Sequence, residues 1–435
     1  MQHSKGLLGH IFAISLIITP HMAWSGTPLS LDDAVQHALA HNPNLAAQGA
    51  YARAMREVAP QVGSLPDPVL SLGALNLPTN NLSPTQENMT QFQIGIRQAI
   101  PFYGTRGLRA SIADLTADAA DFDTDELRLL LVRRVKTSWW NIVYLDHALE
   151  MVTRNQQLLR QLIQVTEAKY KVGQGLQQDV LLAQLELSKL LDMKLQLTAS
   201  RQQSVARLNA LLNQPDNVVV TLPEKVPELL PELPDADTLF AEAFTSRPLL
   251  ARQHRMVQVA QQRIELAEQD FSPDFNLGAA YGLRRGHNAT GSPRSDLASI
   301  QLSMNLPFFT PDKQNHQLAQ RKAEWARAGF DYQDTKDAVM TDISVAMAGY
   351  KQAREQSILF KRGIIPQAQQ TLASMRAAYQ VNQVDFLNLV RTQITLYNYE
   401  TQYWKSLAEA HQQLASLERS MGKAIEANIT ESTHE

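Results

Sequence analysis

Pro273-Asp274-Phe275-Asn276-Leu277-Gly278-Ala279-Ala280-Tyr281-Gly282-Leu283 is the stretch on which the fold turns. Phe275, Leu277, Ala279, Tyr281 and Leu283 fall on one side of a period-two alternation. Asn276, Gly278, Ala280 and Gly282 fall on the other. After a polar, breaker-rich loop from Arg284 to Asp296, the pattern returns. Ala298, Ile300, Leu302, Met304 and Leu306 alternate with Ser299, Gln301, Ser303 and Asn305, and Pro307 ends the run. Strands of about nine or ten residues, apolar on one face and small or polar on the other, have the dimensions of transmembrane β-strands. A half-buried strand of a soluble sheet alternates in the same way, so one strand alone does not decide between them.

The first half of the chain repeats the arrangement. Phe92, Ile94, Ile96 and Ile100 alternate with Gln91, Gln93, Gly95 and Arg97, and a less regular partner runs from Val69 to Leu75. There Leu70, Leu72 and Ala74 face away from Ser71 and Gly73, but Val69 and Leu75 are apolar on the polar side. The loop Asn76 to Asn88 is polar, and Pro66 and Pro101 stand at the feet of this hairpin as Pro273 and Pro307 do at the other. Proline cannot continue a ladder, so it suits a swivel from strand to helix.

The duplication extends beyond the strands, at a spacing of about 207 residues. Ala38-Leu39 leading to Pro43 and Leu45 returns as Ala243-Phe244 leading to Pro248 and Leu250. Tyr170-Lys171-Val172-Gly173-Gln174 returns as Tyr379-Gln380-Val381-Asn382-Gln383. Each half reads helix, strand, strand, very long helix, turn, shorter helix. The expected units are residues 26–212, with a hairpin at 66–101, and residues 238–422, with a hairpin at 273–307. A proline-rich linker, 213–237, crosses between them on the outside, and residues 423–435 form a polar, flexible tail.

Almost no proline or glycine interrupts residues 104–172 or 312–381, apart from Gly329, Gly349, Gly363 and Pro366, with a kink expected near Pro366. Leu127, Leu131, Val135, Trp139, Ile142, Leu145, Leu149 and Val152 step by threes and fours along one stripe. At 1.5 Å per residue, roughly 70 residues make a rod of about 100 Å, which needs partners along its whole length. Shorter helices are expected over 31–59, 176–212, 236–270 and 385–421, two of them stacking end to end to match each rod.

At the start of the 435-residue chain, Lys5 precedes an apolar run from Leu7 to Thr19, and Ala23-Trp24-Ser25 offers a cleavage site. Residues 1–25 therefore read as a secretory signal peptide. No cysteine occurs, which excludes disulfides, thiolate metal sites and N-terminal lipidation on cysteine. No apolar run of about 18 residues follows the leader, so a membrane crossing would have to be made by β-strands closed into a barrel. The net charge of −3 calls for no nucleic-acid partner. Four strands do not close a barrel, and that shortfall points to several copies.

The signal peptide, the duplicated helix–hairpin–helix–helix halves, the prolines at the strand feet and the Tyr170-Lys171-Val172-Gly173…Asp179-Val180 turn resemble the TolC family of outer-membrane efflux channels. The likeness covers residues 31–421. Leu65-Pro66-Asp67-Pro68, Asn76-Leu77-Pro78 and Gln98-Ala99-Ile100-Pro101-Phe102-Tyr103-Gly104 are most similar to its heavy-metal efflux branch, in an unlipidated form. The resemblance implies a mostly α fold with a membrane β-barrel. Three chains of four strands would form one 12-stranded barrel, with a long α-helical barrel in the periplasm of a Gram-negative bacterium. It implies a homotrimer in outer-membrane lipid, working with a periplasmic adaptor and an inner-membrane efflux pump, with heavy-metal cations as the cargo of that branch. A periplasmic adaptor or a coiled-coil scaffold of an export complex is the alternative. An adaptor predicts one long helical hairpin, where this sequence carries two tandem copies, and strands suited to a soluble sandwich; the four alternating strands speak against a scaffold.

The resemblance also marks the two helical turns as the adaptor-contact or gate region. Gly173 and Asp179 occupy the motif positions of the first turn; in the second, Asn382 replaces the glycine, Asn388 replaces the aspartate, and Arg391 follows one helical step later. These substitutions weaken the acidic, cation-attracting ring that relatives carry there. A plainer reading makes Asp179 a first-turn carboxylate opposing the helix dipole and Arg391 an exposed helix arginine. His37 and His41 are spaced to share a metal, but no third ligand is suitably placed. Trp139, Trp140 and Trp404 read as packing between helices. No Ser/His/Asp order, paired carboxylates or phosphate loop is present, so neither catalysis nor a cofactor is expected.

Overall fold

A computed structural model describes residues 28–381 and 383–425. The expected signal peptide, Asn382 and the last ten residues of the tail lie outside the described residues. The near part of that tail packs: Lys423 pairs with Glu242 at 3.2 Å, and Ile425 lies against the cluster of Leu239, Ala243 and Leu417.

Two antiparallel hairpins form one four-stranded sheet in the order β1 (Val69–Leu75), β2 (Gln91–Ile100), β3 (Phe275–Leu283), β4 (Leu297–Met304). The halves join through β2 and β3, leaving β1 and β4 as free edges. Register decides which side chains share a face. One line across the sheet is Leu72, Ile94, Tyr281 and Ala298, and the next on that face is Leu70, Ile96, Ala279 and Ile300. The opposite face carries Ser71, Gly95, Ala280 and Ser299, then Val69, Arg97, Gly278 and Gln301. The four alternations therefore coincide, and an apolar face spans the sheet. It is open, with Ile300 85% and Leu72 76% exposed. The feet of the hairpins are tied together: the Phe102 N–H donates to Asp274 at 2.7 Å, and the Asp274 N–H donates to Asn305 at 2.5 Å.

The helices are α1 (Leu31–His41), α2 (Pro43–Arg56), α3 (Val58–Gly63), α4 (Thr105–Lys171), α5 (Gln177–Leu211), α6 (Ala236–Ser246), α7 (Pro248–Gln269), α8 (Gln314–Leu359), α9 (Ile365–Gln380) and α10 (Phe386–Met421). The continuous helices expected over 31–59 and 236–270 are both broken at the repeated proline. Asn42 and Arg247 are extended, with ψ of 119° and 116°, because the ring of the following proline disfavours helical geometry there. Each proline then serves as the first residue of the next helix, where a missing N–H costs nothing. Asn42 caps α2 through the Asn44 and Leu45 N–H groups and donates to Leu211 O at 3.0 Å. The irregularity expected near Pro366 is a π-helical turn, Phe360–Ile364, between α8 and α9.

α4, at 67 residues, is about 100 Å long and is the axis of the molecule. It packs against α2, α3 and α7 toward the sheet and against α5 and α10 toward the far end; α8 packs against α7 and α10. The free flanks are therefore α2, α3 and α5 on the β1 side, and α8 and α9 on the β4 side. At the waist, Trp139, Trp140 and Leu208 form a buried cluster with Leu29, Ala34 and Val220. The strap between α5 and α6 is held there: the Trp139 indole donates to Leu29 O at 3.0 Å, Asn209 donates to Val218 O at 2.8 Å, and Tyr403 donates to Glu228 at 2.5 Å. Among the described residues no helix is long and apolar enough to cross a membrane.

Candidate functional site at the helical tips

The first tip reverses the chain between α4 and α5. The Gly173 N–H donates to Tyr170 O at 3.0 Å and the Gln174 N–H to Lys169 O at 2.8 Å, the paired bonds of a Schellman cap. Gly173 has φ of +73°, which is why glycine stands there. Gly175 is needed for closeness instead: a Cβ would lie 3.1 Å from the Lys169 Cβ and 3.2 Å from the Tyr170 N. At the second tip the Gln383 N–H donates to Ala378 O at 2.9 Å, the equivalent outer bond.

The tips touch. The Lys169 ammonium donates to Tyr379 O at 3.2 Å and sits 4.1 Å from the centre of that ring. Burial, and then the nearby Asp179 carboxylate, push the Tyr379 phenol up from its ordinary value. Tyr379, Phe386, Leu389 and Val390 are buried with Leu159 and Ala183 in one apolar cluster, so both turns stand on a shared base. Beside it runs a groove of about 170 Å³ lined by Leu158, Leu162, Val165, Tyr379, Leu389 and Gln393. Beyond the base, Val172, Leu176, Leu181 and Val381 are exposed.

Asp179 is the third residue of α5, where its charge opposes the helix dipole. Asn388 is the third residue of α10 and is exposed; its N–H is capped at 2.8 Å by Asp385. The second tip therefore keeps a carboxylate at its helix start, moved from the third position to the cap. Sequence reasoning missed Asp385, although an aspartate directly before an apolar helical run is a recognisable cap signal. It also missed Lys169, whose role depends on two turns about 210 residues apart meeting in space. Arg391 is exposed and forms no ion pair among the described residues. His37 and His41 stack at 4.3 Å, and no group of three or more His, Cys, Asp or Glu is placed to hold a metal among the described residues. Trp140 and Trp404 stack on His411 and His147, in keeping with a packing role.

Residues 34–214 and 239–423 match the outer membrane efflux protein family, and the chain belongs to it. Membership meets the expectation of a channel rather than an enzyme. The outer membrane efflux protein BepC of Brucella suis biovar 1 (strain 1330) is 24% identical over 314 residues. That match takes in 68% of this chain and 65% of BepC, just short of two thirds of the relative's length. Among solved structures, the outer membrane protein VceC of Vibrio cholerae is 18% identical, covers 91% of this chain and 97% of its own, and superposes with a TM-score of 0.75. CusC, described in terms of folding and transmembrane channel formation, is 16% identical, with 91% and 92% covered and a TM-score of 0.75. These structures share the fold of a helical barrel with a small β domain.

Proposed function

We propose that three copies close into an outer-membrane exit duct of a tripartite efflux system, with the helical tips meeting a periplasmic adaptor and, through it, an inner-membrane pump. The observation that carries this is the open sheet. Its apolar face is continuous and exposed, and both edges are unpaired, which only closure with further copies would satisfy in lipid. Each flank of the chain repeats the arrangement: β1, α2, α3 and α5 on one side, β4, α8 and α9 on the other. Joining unlike flanks head to tail makes a ring, and three copies supply twelve strands. The unit has no bond to break and passes what its pump delivers.

The exposed apolar residues around the tips, and the groove between α4, α9 and α10, support adaptor docking there. Gly173, Asp179, Asn382, Asn388 and Arg391 are the residues proposed for that contact or for the gate. We expect Asp179→Arg to lower efflux-dependent resistance without reducing folded protein in the outer membrane; unchanged resistance removes Asp179 from the contact. The likeness of residues 65–104 to the heavy-metal branch supports metal ions as cargo. Fractionation tests the whole reading: a detergent-extracted trimer from the outer membrane is expected, and a water-soluble periplasmic monomer refutes it.

A further inference from the structure

At the waist, on the face of α4 turned away from the strap, lies a cleft of about 560 Å³ that contains three arginines and no acidic side chain. Its direction follows from helix geometry. Trp139 and Asp146 face the strap side, where Trp139 meets Leu29 and Asp146 pairs with Arg201, which itself donates to Val220 O. Asn141 is two residues from Trp139, about 200° round the helix, and Arg134 and Thr137 share its stripe. With the strap on the outside of the proposed ring, where the proline-rich linker is expected from its sequence, this stripe lines the lumen.

The cleft is set between α4, α5 and α10 by polar links. Asn141 donates to the Ser204 hydroxyl at 2.8 Å, and Gln412 donates to Thr137 O at 3.3 Å. Arg133, Arg134 and Arg207 line it, the first partly buried and the other two exposed, and none makes a hydrogen bond or ion pair among the described residues. That is unlike their neighbours, since Arg201, Arg247 and Arg419 are each paired with a carboxylate. The Nε of Arg133 is buried without a partner. Burial, then Arg419 and Arg134, disfavour its charge, and Asp342 opposes them without forming an ion pair with it among the described residues. A partly buried guanidinium left unpaired beside two others is costly, and an oxyanion relieves that cost through charge-assisted, forked hydrogen bonds.

We propose that this cleft is an oxyanion station in the duct wall, taking a carboxylate or phosphate group. The inference rests on the duct reading and, at this level of the duct, points to an anionic cargo in place of the metal ions that the likeness of residues 65–104 supports. Three copies would place nine arginine charges round the waist, favouring acidic organic molecules over bare cations at that level. The volume lies within the range of small-molecule sites.

Titration calorimetry of the full-length detergent-extracted protein tests it, with inorganic phosphate, succinate and the cationic dye ethidium as probes at constant chloride. Saturable binding of phosphate or succinate, but not ethidium, is expected. Arg133→Gln and Arg207→Gln should each weaken binding about tenfold, the loss of one charge-assisted hydrogen bond, while Arg160→Gln, exposed lower on α4, should not. Succinate displacing phosphate supports a carboxylate-bearing cargo; phosphate binding untouched by succinate supports free phosphate as occupant. Absence of binding by either, or equal binding in all variants, overturns the station. Wild-type protein blind to phosphate whose assembly dissociates on Arg133→Gln also overturns it, because a neighbouring copy's carboxylate then fills the cleft. Fractionation and cross-linking report on the duct separately, so failure of the station is distinguishable from failure of the channel.

Discussion

The break between α6 and α7 shows how one side chain holds several elements. Arg247 is 2% exposed and gives Glu126 two bonds, at 3.0 and 2.9 Å, while Arg419 gives the same carboxylate two more, at 3.2 and 2.8 Å. Arg247 also donates to Arg419 O. Burial pulls its guanidinium pKa down, and Glu126 opposes that shift. The pair links α4, the α6–α7 junction and α10. Arg247→Ala would leave Glu126 its bonds to Arg419, whereas Glu126→Ala leaves the buried Arg247 without its carboxylate, so Glu126→Ala should destabilise the helical body by about 3 kcal/mol or more, read as a lower urea midpoint. A midpoint unchanged from wild type would show that the network carries no stability.

His411 makes a second residue-scale prediction. Its ring stacks on Trp140 at 3.7 Å, and Nε2 lies 3.2 Å from Pro227 O on the strap. Burial pushes its pKa down to about 4 from 6.5, with Lys136 acting in the same direction and the Pro227 contact opposing it. His147, stacked on Trp404, is shifted the same way, again mainly by burial. The unfolded chain therefore binds protons first as pH falls below about 6.5. Stability contributed by neutral His411 is fully present above that pH and is lost as pH falls toward 4. Urea midpoints measured from pH 7 to 4 should fall, and His411→Phe should flatten part of the slope; an identical slope in the variant refutes the assignment.

At the scale of elements, the strands are defined by two unlike faces. Ile300 and Gln301 are consecutive, yet one stands in the apolar line and the other opposite Gly278 on the polar side. Ile300→Lys should cost roughly 2–4 kcal/mol if that face meets lipid near the bilayer midplane, whereas Gln301→Lys should be close to neutral. Folding into vesicles, followed by denaturant titration, measures both, and equal costs would argue against a lipid-facing side. The alternation was readable for β2, β3 and β4, and legible in β1 despite Val69 and Leu75. The helix breaks were less legible. Pro43 and Pro248 are each compatible with starting a helix, so only the extended geometry of Asn42 and Arg247 shows two helices in place of one.

For the whole molecule, the free edges set the assembly. Within one copy β1 and β4 are separated by two strands, about 14 Å at the spacing of a ladder, beyond disulfide reach. The chain has no native cysteine, so Leu72→Cys combined with Ile300→Cys reports only contacts between copies. Oxidation in outer-membrane vesicles should give a three-chain covalent species; persistence of single chains across a small panel of β1 and β4 positions would contradict edge-to-edge closure.

Sequence by itself determined the duplicated order of elements, the period-two strands and the long rods, because those patterns are local and repeat. It also located both turns, where glycine, asparagine and aspartate mark the chain reversal. Tertiary structure decided what distant residues do together. Only the β2–β3 pairing aligns four alternations into one apolar face, only the meeting of the tips brings Lys169 to Tyr379, and only the packing of α4 between α5 and α10 gathers three unpaired arginines. Such contacts depend on register and helix rotation, which no local pattern specifies.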